Sequence, residues 1–276
     1  MNTRKALYGI KWNPFSPEVP VEALRRTAQI ESFCHRVQQL VGEGGFAMLT
    51  GPVGSGKSVI LRLLEDQLKE HRDVQVGVLS RPQASIADFY RELGDLFAVQ
   101  LRPHNRWAGA KVLRERWQAS IDASAFRPVL LIDEAQGTRQ PLLEELRLLS
   151  SSKLDSHMLL TVVLAGDQRL LERLRDEDLA PIGSRVRVRL TLDGSSEEEL
   201  RECLLHALKA AGAPKLMTPE LVVTLCQHAQ GNLRALMNLA GELLDVAEQR
   251  ELPQLDQKLF FDVYPALGTT QAKRRR

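Results

Sequence analysis

The chain has 276 residues, of which 43% are hydrophobic and 26% are charged. This length suffices for one medium domain and a smaller one, and the composition excludes collagen-like, disordered and membrane-embedded classes. The 37 basic and 35 acidic residues give a formal charge of +2, which is too small to indicate a polyanionic partner by itself.

The cysteines and the apolar runs indicate a cytoplasmic protein. Cys34, Cys203 and Cys226 are widely spaced and form no C-x-x-C pair, so we expect neither a disulfide framework nor a zinc site. The first residues contain no apolar stretch of signal-peptide length, and the longest apolar run, at 159–165, is too short to cross a bilayer. We therefore expect no membrane contact.

Strand and helix patterns alternate along the first two thirds of the chain. Short apolar or alternating runs predict strands at 46–49, 74–79, 129–132, 159–165 and 185–192. Helical spacing predicts helices after residue 58 and at 86–96, 112–121 and 141–149. Strands that are apolar on both faces and alternate with helices predict a parallel sheet covered on both sides.

The strand signal ends near Gly194. The segment from Ser195 to Glu199 has the serines and glutamates that favour a helix start. Helical patterns follow at 196–212, 218–229, 232–250 and 255–264. The sequence therefore predicts an α/β lobe followed by a small all-α lobe.

A phosphate-binding motif lies between the first predicted strand and its helix. Residues 51–58 read GPVGSGKS and match G-x-x-x-x-G-K-[ST]. The glycines let backbone N–H groups converge on phosphate oxygens, Lys57 reaches the β and γ phosphates, and Ser58 holds Mg²⁺. A glycine-rich turn without a ligand is the alternative. The predicted ATP-binding residues are Gly51, Pro52, Val53, Gly54, Ser55, Gly56, Lys57, Ser58 and Val59.

Two carboxylates follow the strand predicted at 129–132. This apolar run with Asp133 and Glu134 resembles the Walker B motif. In that motif Asp133 would bind Mg²⁺ through water, and Glu134 would orient and deprotonate the attacking water. A solvated turn or a helix N-cap is the alternative.

Over nearly its whole length the chain resembles AAA+ ATPases, P-loop NTPases with a helical lid. More narrowly it resembles a bacterial group that includes ExeA-type secretion ATPases and transposition helper ATPases. Residues 8–15, YGIKWNPF, are similar to the group's opening Y-G-[LI]-x-x-N-P-F, and residues 46–58 to its P-loop segment. The resemblance implies a linker and first helix at 1–45, an ATPase core at 46–194, a lid at 195–267 and a disordered basic tail at 268–276.

The same resemblance implies roles for three further residues. Asp167, within LAGDQ, occupies the sensor 1 position, where Asn, Thr or Gln is usual. Arg185 would reach the γ-phosphate of a neighbouring subunit, although it could instead belong to a solvated strand face. Arg234, within GNLR, would lie over the nucleotide as sensor 2 unless it is an ordinary surface arginine. These roles imply that ATP joins copies of the chain in a ring or helical filament.

The prediction of a partner depends on which branch of this bacterial group the chain resembles. Secretion-type relatives usually continue into a membrane segment, whereas this chain ends in a basic tail, so we expect a transposition helper. It would assemble on double-stranded DNA with ATP and recruit a transposase, and hydrolysis would be slow and stimulated by assembly or DNA. The alternatives are an ExeA-type ATPase for a secretion or pilus system and a switch that scarcely hydrolyses ATP.

The predicted DNA contacts are basic and polar residues in one loop, with mainly phosphate recognition. A solvated loop is the alternative, and Trp107 would either stack on a base or pack into the core. Lys153 and residues 273–276 are weaker candidates. The loop candidates are Arg102, His104, Asn105, Arg106 and Lys111.

Overall fold

The computed structural model describes residues 7–101, 106–152 and 156–265. They divide into two compact units. We call residues 26–52 and 57–193 the sheet unit, and residues 7–25, 53–56 and 194–265 the helical unit.

The sheet unit is built on five parallel strands. They are β1 (Gly45–Thr50), β2 (Val74–Leu79), β3 (Arg127–Ile132), β4 (Thr161–Gly166) and β5 (Val186–Thr191). Their order is β2-β3-β4-β1-β5, and each neighbouring pair is parallel. All carboxyl ends therefore meet at one edge, which is where open α/β sheets bind ligands.

Helices cover both faces of this sheet. They are α1 (Ala28–Glu43), α2 (Lys57–Lys69), α3 (Ile86–Leu96), α4 (Arg106–Asp122), α5 (Gln140–Ser150), α6 (Gln168–Arg173) and α7 (Ala180–Gly183). Side chains of α1 and α2 pack on one face, and those of α3, α4 and α5 pack on the other. Along β1, Phe46 faces one cluster and Ala47 the other, as the alternation of a strand requires.

Short segments complete the unit. A 3₁₀ turn, Ala135–Gly137, follows β3, and the two-residue strands Ser151–Ser152 and His157–Met158 pair in antiparallel fashion.

The helical unit has one apolar core. It contains a 3₁₀ turn (Val21–Ala23) and helices α8 (Glu197–Ala210), α9 (Pro219–Ala229), α10 (Leu233–Gln249) and α11 (Gln257–Val263). Ser196 and Glu199 form a reciprocal capping box at the start of α8. The predicted fold class, a covered parallel sheet followed by an all-α region, is confirmed. None of the helices in the described ranges has the length and apolarity needed to cross a membrane.

The first described residues belong to the core of the helical unit. Ile10 and Phe15 are only 3% and 8% exposed and pack among the leucines of that unit. The Lys11 N–H donates to the carbonyl oxygen of Ala211 at 2.9 Å. The aromatic ring of Phe15 therefore completes the core of the helical unit.

Phe15→Ala should lower the free energy of unfolding by about 3–5 kcal/mol, because it removes a buried ring and leaves a cavity. Denaturant titration followed by circular dichroism measures this loss. The matched control is Leu205→Ala on α8, whose side chain is 40% exposed, and it should change stability by less than about 0.5 kcal/mol. Equal stability of the two variants would contradict the assignment of Phe15 to the core.

Candidate nucleotide site

The glycine-rich loop at 51–58 leads directly from β1 into α2. Gly54 and Gly56 have φ values of +81° and +96°, which side-chain-bearing residues rarely adopt. At Gly54 space is also lacking, because a Cβ there would lie 2.2 Å from Oδ1 of Asn232. Conformation and close packing thus both require glycine at this position.

Lys57 is the first residue of α2 and is only 6% exposed. Its Nζ donates to the carbonyl oxygens of Gly51 and Pro52, at 3.0 and 2.9 Å. An ammonium group has three N–H donors, and these two acceptors are neutral. The group therefore suits a phosphate, whose charge would compensate that of the nearly buried lysine.

Ser58 and Asp133 bring oxygen ligands together. The Ser58 hydroxyl donates to Oδ2 of Asp133 at 2.6 Å, and Oδ1 of Asp133 accepts from the Glu134 N–H at 2.8 Å. Mg²⁺ prefers oxygen ligands and usually keeps several waters, so two protein oxygens with phosphate and water fit it. Within the described ranges no three His, Cys, Asp or Glu side chains converge as metal ligands. Ser58 and Asp133 would supply the protein oxygens for Mg²⁺.

Glu134 lies at the exposed carboxyl end of β3 in the left-handed region, with φ 50° and ψ 37°. This conformation is uncommon for a residue with a side chain and occurs preferentially at functional sites. The Glu134 carboxylate accepts a hydrogen bond from Nε2 of Gln136. Oε1 of Gln136 accepts from the Asp167 N–H at 3.3 Å. The ends of β3 and β4 are thereby joined through Gln136, a contact that the sequence analysis missed.

Asp167 follows β4, as predicted for sensor 1, but its carboxylate caps α6. It accepts from the Arg169 N–H at 3.0 Å and from Nη2 of the same residue at 2.6 Å. The side-chain bond from Arg169 holds the pKa of Asp167 below its usual range, since it stabilises the charged form. The sensor role of Asp167 stays a prediction.

Residues 53–56 of the loop bond to the start of α10 within the helical unit. Asn232 caps this helix by accepting from the Ala235 N–H at 3.0 Å, and its Nδ2 donates to the Val53 carbonyl at 3.1 Å. The Arg234 N–H donates to the Gly54 carbonyl at 3.2 Å. The G-N-L-R segment is thus in contact with the loop through its asparagine and its backbone, and the nucleotide contact of the Arg234 guanidinium stays a prediction.

Arg185 lies away from these sheet-unit residues. It precedes β5, which runs parallel to β1 with Thr191 beside Thr50. The glycine-rich loop leaves the carboxyl end of β1, whereas Arg185 lies at the amino end of the neighbouring strand, about 20 Å away at roughly 3.3 Å per residue. Its Nη1 donates to the Pro181 carbonyl. Arg185 is therefore poorly placed to act on a nucleotide bound to its own P-loop.

The two neighbouring arginines on β5 are exposed. Arg187 pairs with Glu43, and Arg189 donates to the Gly183 carbonyl at 3.0 Å. Arg187 and Arg189 therefore lie on a solvated face of β5.

Arg106, one of the predicted DNA contacts, has an internal partner. Its Nε donates to Glu145 at 2.6 Å, and Glu145 is only 2% exposed. The hydroxyl of Tyr90 donates to the same carboxylate. Burial and this bond raise the pKa of Tyr90, and the bond to Glu145 raises the pKa of Arg106. Arg106 therefore compensates a buried charge and connects α4 to α5, while its DNA role stays a prediction.

Of the other predicted DNA contacts, Lys111 lies within the described ranges, and like Arg106 it belongs to a helix and not to the predicted loop. Lys111 is exposed on α4, 3.8 Å from the carboxylate of Glu115. Trp107 is 80% exposed, so the alternative that it packs into the core is wrong. Outside the described residues lie Arg102, His104, Asn105, Lys153 and residues 273–276.

Comparison with known proteins agrees with this architecture. Residues 38–174 match the AAA domain family. General secretion pathway protein A of Aeromonas hydrophila is 32% identical over 214 residues, which cover 76% of this chain and 38% of that protein. The chain thus spans well under half the length of this relative.

Solved structures share the fold at low identity. The ADP form of the Aeropyrum pernix ORC2 protein matches with a TM-score of 0.72 at 16% identity, covering 93% of this chain and 72% of that chain. The Aeropyrum pernix ORC1 protein in complex with DNA matches with a TM-score of 0.67 at 17% identity, covering 92% and 68%. Residues 38–174 are thus similar to the AAA domain family, and the chain has the P-loop AAA+ fold that these structures share.

Proposed function

We propose that the chain is an ATP hydrolase that uses Mg²⁺. The observation that carries this proposal is the hydrogen bond between Ser58 and Asp133, with Glu134 as the next residue. It joins the end of a phosphate-binding loop to two carboxylates at the ligand-binding edge of a parallel sheet. A glycine-rich turn without a ligand would not need this arrangement.

Each residue of the candidate site has its own role in the hydrolysis of ATP. Lys57 and the backbone N–H groups at the start of α2 would bind the phosphates, and Ser58 and Asp133 would hold the metal. When bound, Mg²⁺ would neutralise charge on the β and γ phosphate oxygens. Glu134 orients a water and takes its proton as the water oxygen bonds to the γ-phosphorus and the bond to the β–γ bridging oxygen breaks.

Glu134→Gln should lower the turnover of ATP by about 10²–10⁴-fold and leave nucleotide affinity unchanged, because the amide keeps the shape but cannot accept the proton. A phosphate-release assay and a binding titration with labelled ATP measure the two quantities. The control is Glu115→Gln, which changes a 64% exposed carboxylate in the same unit. Unchanged turnover in Glu134→Gln would show that another group is the base.

The position of Arg185 favours an assembly of several copies of the chain. Its place at the amino end of β5 puts it far from the P-loop of its own copy. If the Arg185 guanidinium stabilises charge on a transferred phosphoryl group, that group would therefore belong to the nucleotide of a neighbouring copy. We propose that ATP is hydrolysed between two copies.

A mixture of two inactive variants tests whether ATP is hydrolysed between two copies. Arg185→Ala and Lys57→Ala should each abolish turnover alone, whereas their mixture should recover part of it. In the mixture a Lys57→Ala copy donates its intact Arg185 to the intact P-loop of an Arg185→Ala copy. Arg189→Ala, an exposed change on the same strand, is the control and should stay active. Full activity of Arg185→Ala alone would exclude the role.

The partner class that we favour is a secretion or pilus system, whose assembly the ATPase would assist. Support comes from the 32% identity to a protein named General secretion pathway protein A. The transposition helper that we expected from the sequence lacks support of this kind, because this relative is named for secretion. Of its two described loop candidates, Arg106 is engaged by the buried Glu145.

DNA binding remains the second candidate, because a solved structure with this fold is the Aeropyrum pernix ORC1 protein in complex with DNA. A DNA-binding function predicts a positively charged surface that binds the phosphates of DNA without sequence specificity.

Fluorescence anisotropy with labelled duplex DNA separates the two candidates. A secretion-type ATPase should show no ATP-dependent binding even at low salt. A DNA-binding ATPase should show affinity that depends on ATP and falls steeply as salt rises, because binding releases counterions. The Lys57→Ala variant is the control for ATP dependence. Salt-sensitive, ATP-dependent binding would overturn the secretion proposal in favour of DNA.

A further inference from the structure

Gln136 is held from several sides in the 3₁₀ turn that follows β3. Its Nε2 donates to the carboxylate of Glu134, and its Oε1 accepts from the Asp167 N–H at 3.3 Å. Its own carbonyl oxygen accepts from Nη1 of Arg173 at 2.6 Å. The side chain is half-buried and both ends of its amide are engaged, so it is not an ordinary solvated glutamine.

The chemistry of the two neighbours fixes the orientation of the amide. A main-chain N–H can only donate, and an ionised carboxylate can only accept. The oxygen of Gln136 must therefore face Asp167, and its nitrogen must face Glu134. A carboxylate at position 136 would offer no donor to Glu134, and an apolar side chain would bond to neither neighbour.

The backbone at the end of β4 leaves room for this amide. A Cβ on Gly166 would lie 2.7 Å from Oε1 of Gln136. Because Gly166 lacks a side chain, the amide can approach the end of the strand and reach the next N–H. The packing of β4 thus contributes to the placement of Gln136.

We propose that Gln136 is a positioning residue for ATP hydrolysis, which holds one oxygen of the Glu134 carboxylate and ties it to the main chain where β4 ends. This inference rests on the proposed function. A general base acts only when its free oxygen lies within reach of the proton. Glu134 is otherwise exposed and could occupy several rotamers. Holding Oε2 leaves Oε1 to accept the proton from water.

The test is Gln136→Met, which keeps the length of the side chain and removes both hydrogen bonds. We expect kcat to fall about 100-fold, because a displacement of about 1 Å at a catalytic group can cost that much. The KM, the Kd for ATP and the unfolding midpoint should stay unchanged. The matched control is Gln118→Met, since Nε2 of Gln118 donates to Asp122 at 2.7 Å on the surface of α4.

A second comparison separates positioning from a structural effect. In the Glu134→Gln background, Gln136→Met should lower kcat no further, because the group that it positions is already inactive. A wild-type kcat in Gln136→Met, or an equal loss in both backgrounds, would overturn the inference. Should Gln136→Met fail to fold, Gln136→Glu replaces it, and a normal kcat in that variant would likewise overturn the inference.

The proposed function and the inference can fail separately. Absence of ATP turnover in the wild type overturns both. Undiminished turnover in Glu134→Gln leaves ATP hydrolysis in place but overturns the roles of Glu134 and Gln136. Loss of turnover in Glu134→Gln together with normal turnover in Gln136→Met overturns only the role of Gln136.

Discussion

The hydrogen bond between Ser58 and Asp133 is the contact around which the candidate site is arranged. It joins residues 75 positions apart in the chain, and it can form only because β1 and β3 end at the same edge of one parallel sheet. The intervening β4 sets their separation and brings a third chain segment to that edge. In the proposed mechanism, binding of phosphate, binding of metal and activation of water thus depend on one strand order.

The two ends of the strands have different roles in the proposed mechanism. The carboxyl ends of β1, β3 and β4 carry the groups that would act on the nucleotide of the same copy. The amino end of β5 carries Arg185, which would act on another copy. Since the strands are parallel, a single sheet can present both surfaces without any change in its conformation.

Local patterns predicted much of this fold. The runs at 74–79 and 86–96 became β2 and α3 with the expected limits, because periodicity and flanking turn residues are local properties. The strand order, the placement of Phe15 and the pairing of Arg106 with Glu145 depend on contacts between distant residues, which periodicity does not encode. Helices α6 and α7 were too short to show a helical period. The loop and the two carboxylates were found because each motif is contiguous, whereas the contact of Gln136 with Asp167 is not.

The close approach of Gln136 to Gly166 also limits how the sequence can diverge. An alanine at position 166 would displace the amide, so the two positions are not independent. Relatives that keep the glutamine should therefore keep the glycine. A smaller residue at position 136 would not by itself admit a side chain at position 166, because the added Cβ would also lie 2.9 Å from Cδ2 of Leu170.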